Sequence, residues 1–229
     1  MPKLFKNKAN LSIFVVEQNA GDMFNIGKLK NIGYDLAKKS KKDFSHFIFT
    51  DIDAIPDSEL FKYYMEKPNF PSALAIEGTR YHSRKNKDNK PFIGAVCSFT
   101  KEQFEKIDGY SNSFYGWGGE DTNLALRIHE SKMNIGYPEK GAIIDIEEEN
   151  ESLISLKDKV QIQLKDKREK LAYEKMSIVK GNGLSNLNYK ILDTYYLEED
   201  NLDITQVVVD LLRKKDESEH LNPMSTNVP

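Results

Sequence analysis

Two short acidic clusters carry most of the chemistry legible in this chain. Asp51-Ile52-Asp53 closes the apolar run His46–Thr50, and Tyr115-Gly116-Trp117-Gly118-Gly119-Glu120-Asp121 follows later. In an extended segment, residues two apart project from the same side. Asp51 and Asp53 can therefore address one ligand while Ile52 anchors the backbone in the core. Their hard carboxylate oxygens suit Mn²⁺ or Mg²⁺. Such a cation can bridge diphosphate oxygens and offset the charge growing on a departing nucleotide. Alone the pair is weak, because Asp-x-Asp after a strand is commonly a capped turn. The same letters also open phosphatases of the haloacid-dehalogenase type, where the first Asp is a nucleophile.

The second cluster supplies context. Gly116, Gly118 and Gly119 permit positive φ and close backbone approach, and Trp117 adds a flat apolar surface with one indole donor. A loop of this kind can swing over a sugar. Glu120 and Asp121 fall at the start of a helix, whose positive dipole end keeps both ionised, as a base or a hydroxyl acceptor must be. The plainer alternative is an acidic N-cap after a glycine-rich turn, with Trp117 packed in the core. Taken together, the two clusters point to glycosyl transfer.

Other candidates are sparser. Asp145 and Glu147 alternate onto one face of a strand and can supply carboxylate oxygens to a hard cation. His46, His82, His129 and His220 show no ligand spacing. Cys97 lies in an apolar stretch with no His nearby in sequence, which suits a buried small hydrophobe better than a nucleophile. The loop from Gly78 to Lys90 carries five Lys/Arg against one Asp, and reads as a solvated loop or as a lid over phosphates.

The elements that must position these groups follow an α/β pattern. Leu11–Val16 and His46–Thr50 read as buried strands, the second delivering Asp51 to the carboxyl edge of a sheet where open α/β folds place their ligands. Between them, Leu29, Ile32, Gly33, Leu36 and Ala37 give helical spacing. Asp57-Ser58 can cap a helix reaching Met65, and Ser72–Ile76 and Gly94–Phe99 read as strands. Thr100 and Gln103 have the spacing of a capping box. Leu124 and Ile128 mark the apolar face of the helix that Asp121 opens. Ala142–Glu147 reads as a strand, Leu156–Tyr173 as helix or loop, and Tyr189–Leu192 and Ile204–Val209 as a late strand pair.

The totals bound the class. A chain of 229 residues, 39% hydrophobic and 10% aromatic, is long enough for one sizeable core, expected over residues 1–212 with a polar tail at 213–229. A net charge of -3 offers no basic field for nucleic acid. One cysteine, no apolar run long enough to span a bilayer and no signal-like amino terminus lead to an expectation of a reducing, cytoplasmic setting.

The chain also resembles the β-1,4-galactosyltransferase family, with its xylosylprotein galactosyltransferase and chondroitin-polymerase-like relatives. The stretches that carry the likeness are Gln18–Asn25, Phe49–Pro56, Gly94–Val96 with Thr100–Phe104, Tyr115–Asp121 and Gly183–Tyr189. The resemblance implies a GT-A-like, Rossmann-related mixed sheet flanked by helices, and an inverting, Mn²⁺-dependent transferase using a UDP-sugar and a glycan or glycolipid acceptor. It implies galactose or N-acetylgalactosamine as the sugar moved. Carried over, Asp53 is a metal ligand, Asp51 contacts the donor, Phe24 stacks near the uracil and Trp117, Gly118 and Gly119 form the closing loop. Asp121 is then the general base and Glu120 holds the acceptor.

The chain departs from the family pattern in four places. It corresponds from about the family's second strand onward, so that the first strand-helix unit is expected to be lacking. Ile26 stands where a basic residue is expected, and Asp145-Ile146-Glu147-Glu148 replaces a histidine-containing metal motif. Thr122 and Asn123 replace further Asp. These departures motivate the alternative of a non-catalytic sugar-binding module.

Overall fold

The computed structural model describes residues 11–21, 23–75, 93–116, 118–145, 181–199 and 202–212. Helix α1 (Ile26–Lys39) ties its parts together. It starts where the Asn25 side chain accepts a hydrogen bond from the Lys28 amide, and it ends on Lys38 and Lys39, whose charges suit the negative end of the dipole. Leu29 and Ile32 on one side pack against Val207, Val209 and Leu211. Tyr34 on another side meets the rings of Phe47 and Phe104. One helix thus serves two separate cores.

Beneath the first side lies a three-stranded sheet. Strand β1 (Ser12–Gln18) runs parallel to β8 (Leu202–Asp210), and β7 (Lys190–Glu199) runs antiparallel to β8 with an irregularity between Ile191 and Asp193. The late strand pair is therefore present and longer than its apolar cores suggest. Strand β1 does not read as expected, because its side chains are mostly half-buried rather than buried. It is an edge of its sheet, with β8 its sole hydrogen-bonded neighbour among the described strands.

On the second side, β5 (Val96–Phe99) is the middle of another sheet, antiparallel to β2 (Phe47–Thr50) and to β4 (Ser72–Ala73). Every residue of β5 is buried, which explains its lack of alternation. Strand β4 stops at Ala73, shorter than the apolar run implies. A third pair joins β3 (Ala54–Pro56) to β6 (Ile143–Asp145), with Ala54 registered opposite Asp145.

Helix α3 (Lys101–Lys106) opens with the expected capping box, both of its reciprocal hydrogen bonds being made between Thr100 and Gln103. Helix α4 (Glu120–Glu130) buries Leu124 and Ile128 in the aromatic core around Phe99, Phe104 and Tyr110. The helix before β4, α2 (Phe61–Met65), is capped differently from expectation. The Asp57 carboxylate accepts from the Leu60 and Ala142 amides and so closes the preceding turn, while the N-cap position falls on Leu60.

One expectation about the first acidic cluster is overturned. Strand β2 ends at Thr50, and Asp51-Ile52-Asp53 forms a turn closed by the Ala54 amide on the Asp51 carbonyl. Ile52 is 91% exposed rather than an anchor in the core. A turn does not alternate its side chains as a strand does, so the two aspartates owe their placement to the β2–β3 reversal.

Candidate active site

Asp51 leaves the end of β2 with its amide donating to the Ala95 carbonyl at 2.9 Å, across from the start of β5. Its carboxylate is met by Lys30 of α1, with Nζ 2.8 Å from Oδ1 and the Lys30 side chain only 8% exposed. The ammonium also lies 5.4 Å from the centre of the Tyr110 ring. Burial by itself would lower the pKa of Lys30. The neighbouring carboxylates, Asp51 first and then Asp121, outweigh it and hold the ammonium above its ordinary value.

Asp121 arrives from the first turn of α4 and packs against the backbone of Gly94. A Cβ on Gly94 would overlap its carboxylate, so that only glycine leaves room. Next to Gly94, Ala95 holds a φ of 54°, a left-handed conformation that costs a non-glycine residue free energy and persists where surrounding contacts hold it. The two acidic clusters, distant in sequence, therefore share one region floored by the Gly94-Ala95 bend. This juxtaposition is the premise on which any joint role depends.

The glycine loop is held from the other side. The Gly116 amide donates to the Phe24 carbonyl at 2.6 Å, tying the loop to the segment that leads into α1. Phe24 itself is 53% exposed, which leaves its ring free to meet a flat ligand. Gly118 and Gly119 have φ of 80° and 96°, and a Cβ on Gly119 would come within 2.7 Å of the Phe114 ring. Trp117 lies outside the described residues.

For a divalent cation, Asp53 directly precedes Ala54, whose register partner is Asp145. Two carboxylate-bearing positions thus stand at neighbouring backbone sites, a hard-oxygen set that suits Mn²⁺ or Mg²⁺. Glu147 lies outside the described residues, and among the described residues no group of three or more His, Cys, Asp or Glu is assembled into a metal-holding cluster.

Other candidates resolve into support. Cys97 is buried, its thiol pushed up to about 12 by burial, and its Sγ lies 3.1 Å from the Tyr110 hydroxyl. That environment suits packing, not nucleophilic chemistry. His46 bridges Ser45 and the Tyr64 carbonyl. The Gly183–Tyr189 stretch is a clamp: Asn112 donates to the Gly183 carbonyl and to Asn186, and the Ser185 amide and hydroxyl both donate to Asp108. An open groove of about 730 Å³ at the far end of α1, lined by Tyr34, Lys38, Glu105 and Tyr189 among others, stands apart from the Asp51–Asp121 region.

Residues 1–66 match the family described as the N-terminal region of glycosyl transferase group 7, and residues 76–151 match the N-terminal domain of galactosyltransferase. Human β-1,4-galactosyltransferase 4 is 31% identical over 193 residues, 83% of this chain and 52% of the relative. The chain belongs to the β-1,4-galactosyltransferase family. Rattus norvegicus β-1,4-galactosyltransferase 6 is 34% identical over 139 residues, 61% of this chain and 35% of that protein. The chain thus spans about half the length of the human relative and about a third of the rat one.

The catalytic domain of Drosophila β-1,4-galactosyltransferase 7, solved with xylobiose, superposes with a TM-score of 0.67 at 22% identity, covering 90% of this chain and 82% of that chain. A variant of the same Drosophila protein, solved with manganese, UDP-Gal and xylobiose, gives 0.66 at the same identity and covers 94% and 87%. The fold is that of the GT-A galactosyltransferase domains. Membership of the β-1,4-galactosyltransferase family also sets aside the phosphatase reading of Asp51.

Sequence reasoning missed Lys30, Gly94 as the seat of Asp121, and Tyr110. In sequence Lys30 is one of several lysines on α1, and only its position under the β2 turn distinguishes it.

Proposed function

We propose that this chain is a divalent-cation-dependent galactosyltransferase that moves galactose from UDP-galactose to a hydroxyl of a glycan or glycolipid acceptor, inverting the anomeric centre. The observation that carries the reading is the meeting of Asp51 and Asp121 at the Gly94-Ala95 bend, with the glycine loop tied to Phe24. The names of the relatives favour galactose over N-acetylgalactosamine. The Drosophila protein's manganese, UDP-Gal and xylobiose favour a metal-assisted route to a saccharide acceptor.

In this reading Asp121 takes the proton from the acceptor hydroxyl, whose oxygen attacks the anomeric carbon from the face opposite the departing UDP. One displacement inverts the centre. Glu120, one residue before it on α4, holds the acceptor hydroxyls, and Asp51 holds the donor. Phe24 stacks on the uracil, and Trp117 with Gly118 and Gly119 closes over the sugar. Asp53 and Asp145, with Glu147, would hold Mn²⁺ or Mg²⁺, which when bound offsets charge on the departing diphosphate.

The test is a screen of UDP-sugars against saccharide acceptors with and without Mn²⁺, read as released UDP and as linkage stereochemistry. Metal-dependent transfer from UDP-galactose is expected. Retention of configuration, or turnover indifferent to chelation, would overturn the reading.

A further inference from the structure

Lys30 has no part in the chemistry described so far, yet among the described residues it is the cation paired with Asp51. It rises from α1 into a nearly closed position, pairs with Asp51 at 2.8 Å, and sits over the Tyr110 ring, with Asp121 also within electrostatic range. A buried lysine carries a large desolvation cost that a solvent-facing lysine avoids, so its place needs a compensating partner. Asp51 is that partner. The converse holds as well: without Lys30, Asp51 would lose the ion pair that offsets its charge.

We propose that Lys30 is a positioning residue of the transfer site: it fixes the Asp51 carboxylate toward the donor. The inference rests on the transferase reading, since it assumes that Asp51 meets the donor. Lys30 acts through Asp51 and touches neither donor nor acceptor. Its position on α1, the helix that follows directly on Phe24 and the Asn25 cap, lets one helix set the donor carboxylate and the loop anchor together.

The experiment is a double-mutant cycle on the whole chain with Lys30→Met and Asp51→Asn, read as kcat and KM for UDP-galactose at saturating Mn²⁺, alongside thermal melting and UDP binding by calorimetry. Lys30→Met is expected to lower kcat/KM by about tenfold or more and to weaken UDP binding. Lys30→Arg, which keeps the charge, is expected to recover part of both. The double variant is expected to be no worse than Asp51→Asn alone, because the lysine's contribution runs through that carboxylate.

Losses that multiply in the double variant, or a Lys30→Met protein that melts lower but transfers and binds UDP like the parent, would overturn the proposal. Should Lys30→Met not fold, the double variant removes the orphaned carboxylate and, with Lys30→Arg, still decides the question. A parent protein that transfers no galactose defeats the transferase reading and this inference with it. An active parent with an unaffected Lys30→Met defeats the inference alone.

Discussion

At the scale of single residues, the site depends on one close approach. The Asp121 carboxylate lies where a side chain on Gly94 would have to be, so Gly94→Ala must push it aside. A displacement of about 1 Å at a catalytic group can cost about a hundredfold in rate. Gly94→Ala is therefore expected to lose kcat by tens of fold while melting within a few degrees of the parent, checked by paired kinetics and calorimetry. Unchanged kcat would show that the carboxylate has no fixed task. If Asp121 is the base as proposed, Asp121→Asn keeps the shape and removes it, and a general base contributes about 10²–10⁴-fold. Transfer is expected to fall by that order with UDP binding retained, and equal turnover would end the assignment of Asp121.

At the scale of elements, α4 is locked by Arg127, a fully buried guanidinium on the turn after Asn123. It donates to the Asn123 side chain and to the carbonyls of Ile107, Gly109 and Asn182 at 2.5–3.2 Å. Burial draws its pKa down to about 10, which still leaves it charged at neutral pH. Arg127→Met strands those carbonyls, and a loss of about 2–4 kcal/mol in chemical unfolding is expected. A loss under about 0.5 kcal/mol would mean that water replaces the guanidinium.

Glu105 joins α3 to α1. Burial pushes its carboxyl up, but hydrogen bonds from Lys38 and Tyr34 outweigh that and hold it below the ordinary value. A carboxyl depressed in the folded state stabilises above its unfolded pKa of about 4.3 and loses that contribution as pH falls through the folded value. Melting temperature measured from pH 6 downward should therefore drop less steeply in Glu105→Gln than in the parent below about pH 4.5.

At the scale of the whole molecule, α1 couples two cores and the site. Its Leu29 side packs on the β1–β8–β7 sheet, its Tyr34 side on the core above β2 and β5, and Lys30 faces the turn after β2. Ligand bound near Asp51 should therefore stabilise the fold as a unit. At a hundred times its dissociation constant a ligand adds about 2.7 kcal/mol. UDP with Mn²⁺ is expected to raise the melting temperature, and UDP without metal to raise it far less. Stabilisation by a glycan in the absence of both would favour the non-catalytic sugar-binding alternative.

What the sequence determined by itself is local. The capping box of Thr100 and Gln103, the apolar stripe of α1, the Leu124–Ile128 face of α4 and the late strand pair all rest on neighbours a few residues apart, and each is present. Glu120 and Asp121 open a helix as their position beside three glycines implies. The family likeness was legible for the same reason, because its motifs are short runs read in order.

Tertiary structure decided whatever depends on groups far apart in the chain. Ile52 looks like a core residue in an apolar run, yet the reversal into β3 turns it to solvent. Strand β1 looks buried, yet it is a sheet edge, since periodicity reports a side chain's character and not its neighbours. Lys30 resembles any helical lysine until α1 is laid under the β2 turn and Gly94 admits Asp121. Coulomb attraction and steric exclusion act through space and are blind to sequence separation, so the charge balance of the site exists only once the chain has folded.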